Sequence, residues 1–561
     1  MIRSIKVFNT LFGVPRVPLK VVDEAAELAK LVATVRKDER IKNKANLPAY
    51  RSVNTKGYGV TGNDLSLTAV LDMGNRKATL LVSENALGQK LHFDLRKKVL
   101  DDGFALAHER LADVSVIAQL NKAINQEVIE TQSSDVRPIV EELLRSSIDE
   151  KATDIHLCCR ENSGMVLYRI HSRMYPHKSF DVETCVQIAS YLYGQMAESR
   201  SRSIGTFSIE MKSMSCTIRT TFSGTNYKLR YKFIRMADGW DVIIRILAAE
   251  TAGRPSKTFR ALGYEHSQDE NLEHAISRST GLILISGPTG SGKSTTLKAI
   301  MEFDPHRHFR KRYSVEDPVE YKIFGVSQIS IQRSDHDNDE DNSQALNGTL
   351  RDILRGDPDE VMVGETRDKS TASAVADFVL TGHKAYTSLH TSSAFGSVLR
   401  LDRLGLDRHT LADRQFLSAL IFQRLLPVLC TACKVPAKDI LATKILDALE
   451  IKFGINLNSV YCYSKDGCTE CRGRGIVGST VVAEIVLPDK IIRQYIAEGH
   501  DDLAELYWRQ SRTKPYDDPD MTGKTAFEHG VYKVSQGIID PRDLEYEFES
   551  LARYELVEVS N

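Results

Sequence analysis

The feature that most constrains this chain is a glycine-rich octapeptide placed between an apolar run and a helical pattern. Residues 287–294 read Gly-Pro-Thr-Gly-Ser-Gly-Lys-Ser and satisfy the pattern G-x-x-x-x-G-K-[ST]. The apolar residues 281–286 before it predict a buried strand, and residues 295–303 after it predict a helix. Glycines here let main-chain amides point towards a phosphate at the positive end of the helix dipole. The sequence therefore predicts a phosphate-binding loop on a parallel-sheet core.

This loop supplies most of the residues that we expect to bind a nucleotide. Lys293 is expected to pair with the β- and γ-phosphates of ATP, and Ser294 to offer its hydroxyl to magnesium. A glycine-rich turn without a ligand is the alternative, and the flanking strand and helix argue against it. The predicted nucleotide-binding residues are Gly287, Pro288, Thr289, Gly290, Ser291, Gly292, Lys293, Ser294 and Thr295.

Composition excludes several classes of protein. A length of 561 residues predicts three or four domains at about 150 residues per domain. The formal net charge of −1 argues against a uniformly basic nucleic-acid binder and against a disordered protein. No run of about 18 apolar residues and no secretory signal is found, so neither a transmembrane helix nor export is expected. The nine cysteines are too sparse for a disulfide scaffold and favour a reducing cytoplasm.

Carboxylates follow two further strand-like runs. Glu316 ends the run 313–316, and Glu365 follows the run 360–363 after Gly364. Acids beyond the carboxyl ends of parallel strands are suited to holding a metal or positioning water, although they are also common as helix caps. Many phosphate-loop enzymes carry a magnesium-holding Asp where this chain has Gly364. We therefore expect indirect metal contact there, with Glu365 organising the waters of the metal.

Two pairs of basic side chains remain open to two interpretations. Arg351 and Arg355 lie four residues apart on a predicted helix, which suits either phosphate recognition or a surface salt-bridge helix. His383 and His390 flank a short strand and are either sensors of the γ-phosphate or structural histidines. The acidic run 335–341 lacks the spacing of a calcium loop and is interpreted as a solvated insertion.

Four cysteines form two C-x-x-C pairs. The pairs are Cys430 with Cys433 and Cys468 with Cys471, separated by residues 434–467. Four thiolates around one tetrahedral ion would make a closed, structural zinc site that contributes to folding. The separation exceeds that of common zinc ribbons, so a redox pair is the alternative, and Cys462 is a spare candidate ligand.

In this order, the motifs resemble those of the secretion ATPase superfamily of type II secretion and type IV pilus biogenesis. Residues 314–320 resemble the Asp box, whose first acid in that family polarises the attacking water, which implies this role for Glu316. Residues 357–368 resemble its atypical Walker B motif, including the glycine at 364 and Glu365. Residues 381–391 resemble the His box with His383 and His390.

The resemblance extends to an amino-terminal motor domain that begins near 152–157. In the family, arginines of this domain reach a nucleotide bound by the neighbouring subunit, and Arg230 and Arg245 match them in spacing, with Arg169 matching less closely. Two positions depart from the family pattern. Gly239-Trp240 replaces Gly-Glu, and His171-Ser172 replaces Asp-Gly.

The resemblance implies an α/β fold class, with a RecA-like P-loop NTPase domain built on a parallel sheet. An α+β amino-terminal motor domain precedes this domain, which carries a zinc-knuckle insertion. The boundaries that we assign are 1–130 for a partner-docking domain, 131–247 for the motor domain, 248–257 for a linker, 258–427 for the ATPase core, 428–475 for the tetracysteine insertion and 476–561 for a carboxy-terminal helical subdomain.

The function implied is that of a hexameric ATPase, using ATP, magnesium and zinc, that powers a type IV pilus or a type II secretion pseudopilus. The cysteine pairs favour extension or secretion, because retraction motors typically lack them. The expected partners are further copies of the chain and an inner-membrane platform protein, with peripheral attachment at the cytoplasmic face and no direct nucleic acid. The alternatives are a conjugation or type IV secretion motor and a nucleic-acid translocase.

Overall fold

The computed structural model describes residues 67–249, 257–331 and 339–557, together with scattered positions between 32 and 65. Most of the predicted linker 248–257 and of the acidic run 335–341 lies outside the described residues. The chain forms two compact units, Met1–Pro138 and Ile139–Asn561.

The first unit contains a four-stranded sheet in the order β1-β2-β3-β4. Strands β2 and β3 form an antiparallel hairpin, whereas β4 runs parallel to β3 after a crossover through α1. A second helix, α2, starts in this unit and contains Pro138. The elements are β1 (Ser52–Val53), β2 (Thr68–Gly74), β3 (Lys77–Val82), α1 (Lys90–Asp101), β4 (Ala105–Leu111) and α2 (Val114–Asp149).

The second unit starts with a six-stranded antiparallel sheet in the order β7-β6-β5-β10-β9-β8. At the β6–β7 turn, His171 and Ser172 have left-handed φ angles of 50° and 68°, a conformation that Asp-Gly would adopt more easily. Trp240 is buried against Phe233 and thus adds to the core of this sheet. The elements are β5 (Asp154–Arg160), β6 (Gly164–Ile170), β7 (Arg173–Phe180), α3 (Val182–Tyr191), β8 (Ser213–Phe222), β9 (Thr225–Met236) and β10 (Gly239–Ala249).

A seven-stranded sheet follows, in the order β13-β12-β14-β15-β11-β16-β19. Its first six strands are parallel and only β19 is antiparallel, which confirms the predicted α/β class with a parallel core. The strands are β11 (Gly281–Ser286), β12 (Arg312–Glu316), β13 (Ser327–Ser330), β14 (Glu360–Val363), β15 (Lys384–Leu389), β16 (Leu417–Leu429) and β19 (Ile476–Val486), with a short pair, β17 (Val435–Pro436) and β18 (Tyr461–Cys462), between the last two.

Helices pack on both faces of this sheet and bury its interior strands, such as β11 and β15, on both sides. Strand β11, which lies between β15 and β16, is buried along its whole length. The helices are α4 (Phe259–Leu262), α5 (His266–Ser277), α6 (Lys293–Phe303), α7 (Asp339–Leu354), α8 (Lys369–Leu380), α9 (Ala394–Arg403) and α10 (Arg408–Ala412).

The carboxy-terminal part differs from the sequence-based prediction. The segment 476–561 was expected to be a helical subdomain, but it begins with β19, which pairs with β16 and completes the central sheet. On β19, the buried Glu484 accepts the main-chain amides of Ala394 and Ala526 and so fixes the first turns of two helices. The remaining helices are α11 (Thr443–Asp447), α12 (Lys490–Glu498), α13 (Asp501–Gln510), α14 (Ala526–Ser535) and α15 (Pro541–Glu547). In the described part of the chain, none of the helices combines the length and the apolar character needed to cross a bilayer.

Candidate nucleotide site and cysteine cluster

The glycine-rich loop connects the carboxyl end of β11 to the start of α6, as predicted from the sequence. Gly292 caps α6 with a left-handed φ of 87°, and Gly290 has a φ of 81°. A Cβ at Gly287 would lie 2.3 Å from the carbonyl oxygen of Gln423, so that only glycine fits beneath the loop. Ser294 and Thr295 are exposed in the first turn of α6, where amides without helical partners concentrate.

Lys293 lies inside the loop rather than in solvent. Its Nζ donates to the carbonyl oxygens of Gly287 and Pro288, at 2.8 and 3.0 Å. Burial lowers the pKa of Lys293 to about 8, although the negative charges of Glu365 and Glu320 act in the opposite direction. The charges of the two carboxylates therefore offset the effect of burial on Lys293 only in part. Its ammonium group donates to two carbonyl oxygens that phosphate oxygens would replace.

A buried hydrogen-bonded chain supports the loop from below, and the sequence did not predict it. Gln423 Nε2 donates to the carbonyl oxygen of Ser291 at 2.7 Å, and its Oε1 accepts the Tyr264 hydroxyl at 2.6 Å. The same hydroxyl lies 3.2 Å from Thr296 Oγ1 in α6. No local sequence pattern pairs Gln423 with Tyr264, which lies 159 positions away.

Glu316 ends β12 at the carboxyl edge of the sheet. It is buried, and its Oε1 accepts hydrogen bonds from Ser314 Oγ at 2.6 Å and Gln328 Nε2 at 3.1 Å. Burial raises the pKa of Glu316, and those hydrogen bonds partly offset the effect. A Cβ at Gly364, the next strand end, would lie 3.5 Å from Glu316 Cγ, so glycine leaves the space beside this carboxylate open.

Glu365 and His390 meet at the same edge. His390 Nε2 lies 3.3 Å from Glu365 Oε1, and Arg367 Nη2 donates to Glu365 Oε2 at 2.9 Å. Burial favours the neutral form of Glu365, but the hydrogen bond from Arg367 and the nearby cations, Lys293 among them, lower its pKa. Burial and the charge of Lys293 lower the pKa of His390, which leaves the imidazole neutral near pH 7.

The structure does not bring His383 to this site. His383 precedes β15, and its carbonyl oxygen accepts the amide of Gly281, at the amino end of β11. The six residues of β15 separate it from His390 by roughly 20 Å at about 3.3 Å per residue. Its ring packs on Phe378 and its Nδ1 lies 3.0 Å from Thr381 Oγ1. The prediction that grouped His383 with the nucleotide residues therefore needs correction. The contacts of His383 favour a structural role.

The arginines of the six-stranded sheet make contacts within their own chain. Arg230 Nη1 lies 3.3 Å from Glu320 Oε1, and its Nη2 donates to the carbonyl oxygen of Pro318 at 3.3 Å. Arg245 Nε donates to Asp154 Oδ1 at 2.9 Å, and Arg169 Nε lies 3.8 Å from the other oxygen of that carboxylate.

The second pair of arginines, on and after α7, is exposed. Arg355 Nη1 lies 3.9 Å from Asp352 Oδ1, with both side chains more than 80% accessible, at 83% and 82%. The position of Arg355 favours the surface salt-bridge interpretation over phosphate recognition.

The two cysteine pairs converge on one point. The Sγ atoms of Cys430, Cys433, Cys468 and Cys471 all lie within 4.8 Å of one another. The Cys430–Cys468, Cys433–Cys471 and Cys468–Cys471 separations are 3.7, 3.8 and 3.7 Å. A tetrahedral ion with Zn–S bonds of about 2.3 Å requires sulfur atoms about 3.8 Å apart, so the donor set fits zinc.

Main-chain amides also favour a thiolate in this cluster. The amides of Cys468 and Gly475 donate to Cys471 Sγ, both at 3.1 Å. Burial raises the pKa of that thiol, but these amides overcome the effect and bring it to about 6. Cys462, the spare candidate, lies outside the cluster in β18, where burial raises the pKa of its thiol to about 12.

The loop after Cys471, residues 471–475, contacts the six-stranded sheet region of the same unit. Arg472 Nη1 donates to the carbonyl oxygen of Asp149 at the end of α2, at 3.2 Å. Arg474 pairs with Glu150, and its guanidinium lies 5.6 Å from the centre of the Tyr175 ring. These contacts join the cysteine cluster to the segment that precedes β5. We refer to them as the knuckle contact.

Comparisons with known proteins agree on one family. The family model described as "Type II/IV secretion system protein" matches residues 129–540. "Type II secretion system protein E" of Pseudomonas aeruginosa is 30% identical over 405 residues, which cover 71% of this chain and 73% of that protein. "Type II secretion system ATPase E" of Vibrio cholerae is 28% identical over 446 residues, 78% of each chain. "Type IV pilus assembly ATPase PilB" of Thermus thermophilus is 29% identical over 446 residues, 76% of this chain but 45% of that relative, so this chain spans about half its length.

Proposed function

This chain belongs to the type II/IV secretion system protein family, and on that premise we propose that it hydrolyses ATP to power assembly of a type IV pilus or a type II secretion pseudopilus. The observation that carries the proposal is the meeting of Lys293, Glu316 and Glu365 at one edge of a parallel sheet, beside a glycine-rich loop. The names of the relatives supply the cellular process.

Binding of the nucleotide starts with the loop. Main-chain amides of residues 287–292 and the first turn of α6 bind the phosphates, and Lys293 leaves its two carbonyl acceptors for the β- and γ-phosphate oxygens. The pKa of Lys293, lowered to about 8 by burial, rises again when a polyanion replaces neutral acceptors. The buried Gln423–Tyr264 chain keeps the loop in shape during this exchange.

Ser294, which is exposed at the start of α6, would hold magnesium, and Glu365 would contact it through water. The ion would supply positive charge that offsets the charge of the phosphates. The low pKa of Glu365 keeps this carboxylate ionised at neutral pH, as such a role requires.

Glu316 orients the attacking water and accepts its proton. Burial raises the pKa of Glu316, which makes this carboxylate a better base near neutral pH than an exposed one. Lys293 offsets the charge of the departing phosphates, and the neutral His390, which lies beside Glu365, is proposed to sense the γ-phosphate.

Arginines from a neighbouring copy complete the site, and this requirement implies a ring, which we take to be a hexamer. Arg230 and Arg245 are the residues proposed for this role. Hydrolysis then moves the six-stranded sheet domain against the ATPase core, and the motion passes to an inner-membrane platform protein. The chain would act at the cytoplasmic face of that membrane, attached through partners and without direct nucleic acid.

The test is ATP hydrolysis by variants of two residues. Glu316→Gln should lower kcat at least about 100-fold while ATP still binds, because only water activation is lost. Lys293→Ala should lose both binding and turnover. Glu270→Gln is the matched control, since Glu270 is an exposed carboxylate on α5. Near-normal hydrolysis by Glu316→Gln and Lys293→Ala would refute the catalytic proposal.

A further inference from the structure

Two side chains hold one oxygen of the Glu316 carboxylate, and the main-chain amide of Glu320 also hydrogen-bonds to this carboxylate. Ser314 Oγ donates to Glu316 Oε1 at 2.6 Å, and Gln328 Nε2 donates to the same oxygen at 3.1 Å. Oε2 receives neither hydrogen bond. Ser314 is fully buried and lies two residues before Glu316 on β12, so that both side chains point to the same face of the strand.

Gln328 reaches Glu316 from the neighbouring strand. It lies opposite Ser314 in the parallel β12–β13 pair. Its amide is fixed at both ends, because Nε2 also donates to the carbonyl oxygen of Tyr321 at 2.8 Å and Oε1 accepts the amide of Ile323 at 2.9 Å. The orientation of Gln328 is therefore set by the loop after Glu316.

We propose that Ser314 and Gln328 are positioning residues that anchor Glu316 through Oε1, so that its carboxylate is oriented to accept the proton of the attacking water. This inference rests on the proposed role of Glu316 as the base. Two donors on one oxygen fix the plane of the carboxylate, which a single donor on a rotating side chain does not do. The anchor also ties Glu316 to the loop 317–326, which contains Glu320, the partner of Arg230.

Removing a donor has two consequences with different readouts. The carboxylate loses orientation, which lowers kcat with little effect on KM for ATP, because the hydrogen bonds of Ser314 and Gln328 go to Glu316 and to the loop after it. It also loses hydrogen bonds that favour its charged form, so the pKa of Glu316 rises further above its ordinary range. The acidic limb of the kcat profile then moves to higher pH, since the base must be ionised to work.

The experiment compares Ser314→Ala and Gln328→Met with the wild-type chain. Each variant should lower kcat at pH 7 about tenfold, leave KM within about twofold, and displace the acidic limb upwards by about one pH unit. Ser327→Ala is the matched control, because Ser327 precedes Gln328 on β13 and its hydroxyl accepts a hydrogen bond from the exposed Lys311. ATP binding measured in parallel shows that each variant is folded. Ser314→Ala removes a single oxygen and decides the question if Gln328→Met does not fold.

The possible results distinguish the positioning role of Ser314 and Gln328 from the role of Glu316 as the base. If Glu316→Gln hydrolyses ATP normally, the base assignment fails and the positioning role fails with it. If Glu316→Gln is inactive but both variants give the wild-type pH profile and kcat, the positioning inference alone is overturned. A displaced acidic limb with unchanged KM supports it, since a merely structural defect would lower binding or the active fraction without moving the limb.

Discussion

Arg230 and Glu320 form an ion pair within one chain, with 3.3 Å between Nη1 and Oε1. Both side chains are about one quarter exposed, at 27% each, so the pair is partly screened by solvent. The arginine proposed to complete a neighbouring site is therefore bonded to the loop that follows Glu316 of its own chain. An arginine that acts across the ring must first leave this pair.

The first prediction concerns the direction in which Arg230 acts. Homogeneous Arg230→Ala rings and homogeneous Lys293→Ala rings should both be inactive, with losses of about 10³-fold or more for the arginine. In mixed rings, an Arg230→Ala subunit keeps an intact phosphate loop. A neighbouring Lys293→Ala subunit keeps an intact Arg230 and can supply it to that loop. Turnover measured across mixing ratios should therefore rise well above both parents. Mixtures no more active than either parent would show that Arg230 works only within its own chain.

The second prediction concerns the pH dependence of ATP affinity. The pKa of Lys293 is about 8 without nucleotide, because burial disfavours its charged form, and bound phosphates raise it. Binding then takes up a proton, so affinity is highest below pH 8 and falls above it by up to about tenfold per pH unit. ATP itself does not titrate in this range.

Calorimetry between pH 7 and 9.5 measures this slope. Lys293→Arg is the matched comparison, since a guanidinium stays charged throughout and should give a flat profile if it binds. A wild-type affinity that is constant or rises above pH 8 would contradict the account of this lysine.

The third prediction concerns zinc and the knuckle contact. Purified protein should contain one zinc per chain, and Cys433→Ser should lower that content sharply, because three thiolates leave the site open. Cys462→Ser is the control and should keep its zinc, since Cys462 lies outside the cluster.

Loss of the ion should also loosen the segment that Arg472 and Arg474 contact. Chelation is expected to raise amide hydrogen exchange around 149–150 and 171–175, as well as in the cysteine loop itself. Amide exchange that rises only between residues 430 and 475 would show that the metal does not support the knuckle contact. Purified protein without zinc would refute the prediction of a zinc site.

The sequence was sufficient for the elements around the phosphate loop because their signals are local. The apolar run 281–286 is β11, and the run 360–363 is β14 with the same bounds. Glu316 ends one predicted strand and Glu365 follows another, and parallel pairing brings strand ends to one edge. The same rule explains the error at His383, which stands at the other end of its strand.

Long-range partners could not be read from local patterns. Gln423 contacts Tyr264 over 159 positions, and Gln328 reaches Glu316 only because β13 pairs with β12. Strand β19 joins the central sheet beside β16 from beyond the cysteine insertion. An edge strand added antiparallel after so long an insertion has no periodicity that distinguishes it from the start of a helical region.

The cysteine cluster depends both on local signals and on long-range contacts. Each C-x-x-C pair is a local signal, but their meeting depends on β16 and on the turns at 472–475, where Arg472 has a left-handed φ of 52°. The spacing predicted the ligands, and the fold was needed to bring their sulfur atoms to the distances that one zinc ion requires.

The most direct test of the central claim is calorimetric titration of the folded chain with ATP and magnesium. The account predicts one nucleotide bound per chain, at an affinity at least about tenfold weaker in Lys293→Ala, because one buried cation contributes about 1.4 kcal/mol or more. Circular dichroism on the same samples confirms that both are folded. No uptake of ATP by well-folded wild-type protein, or equal uptake by Lys293→Ala, would contradict it.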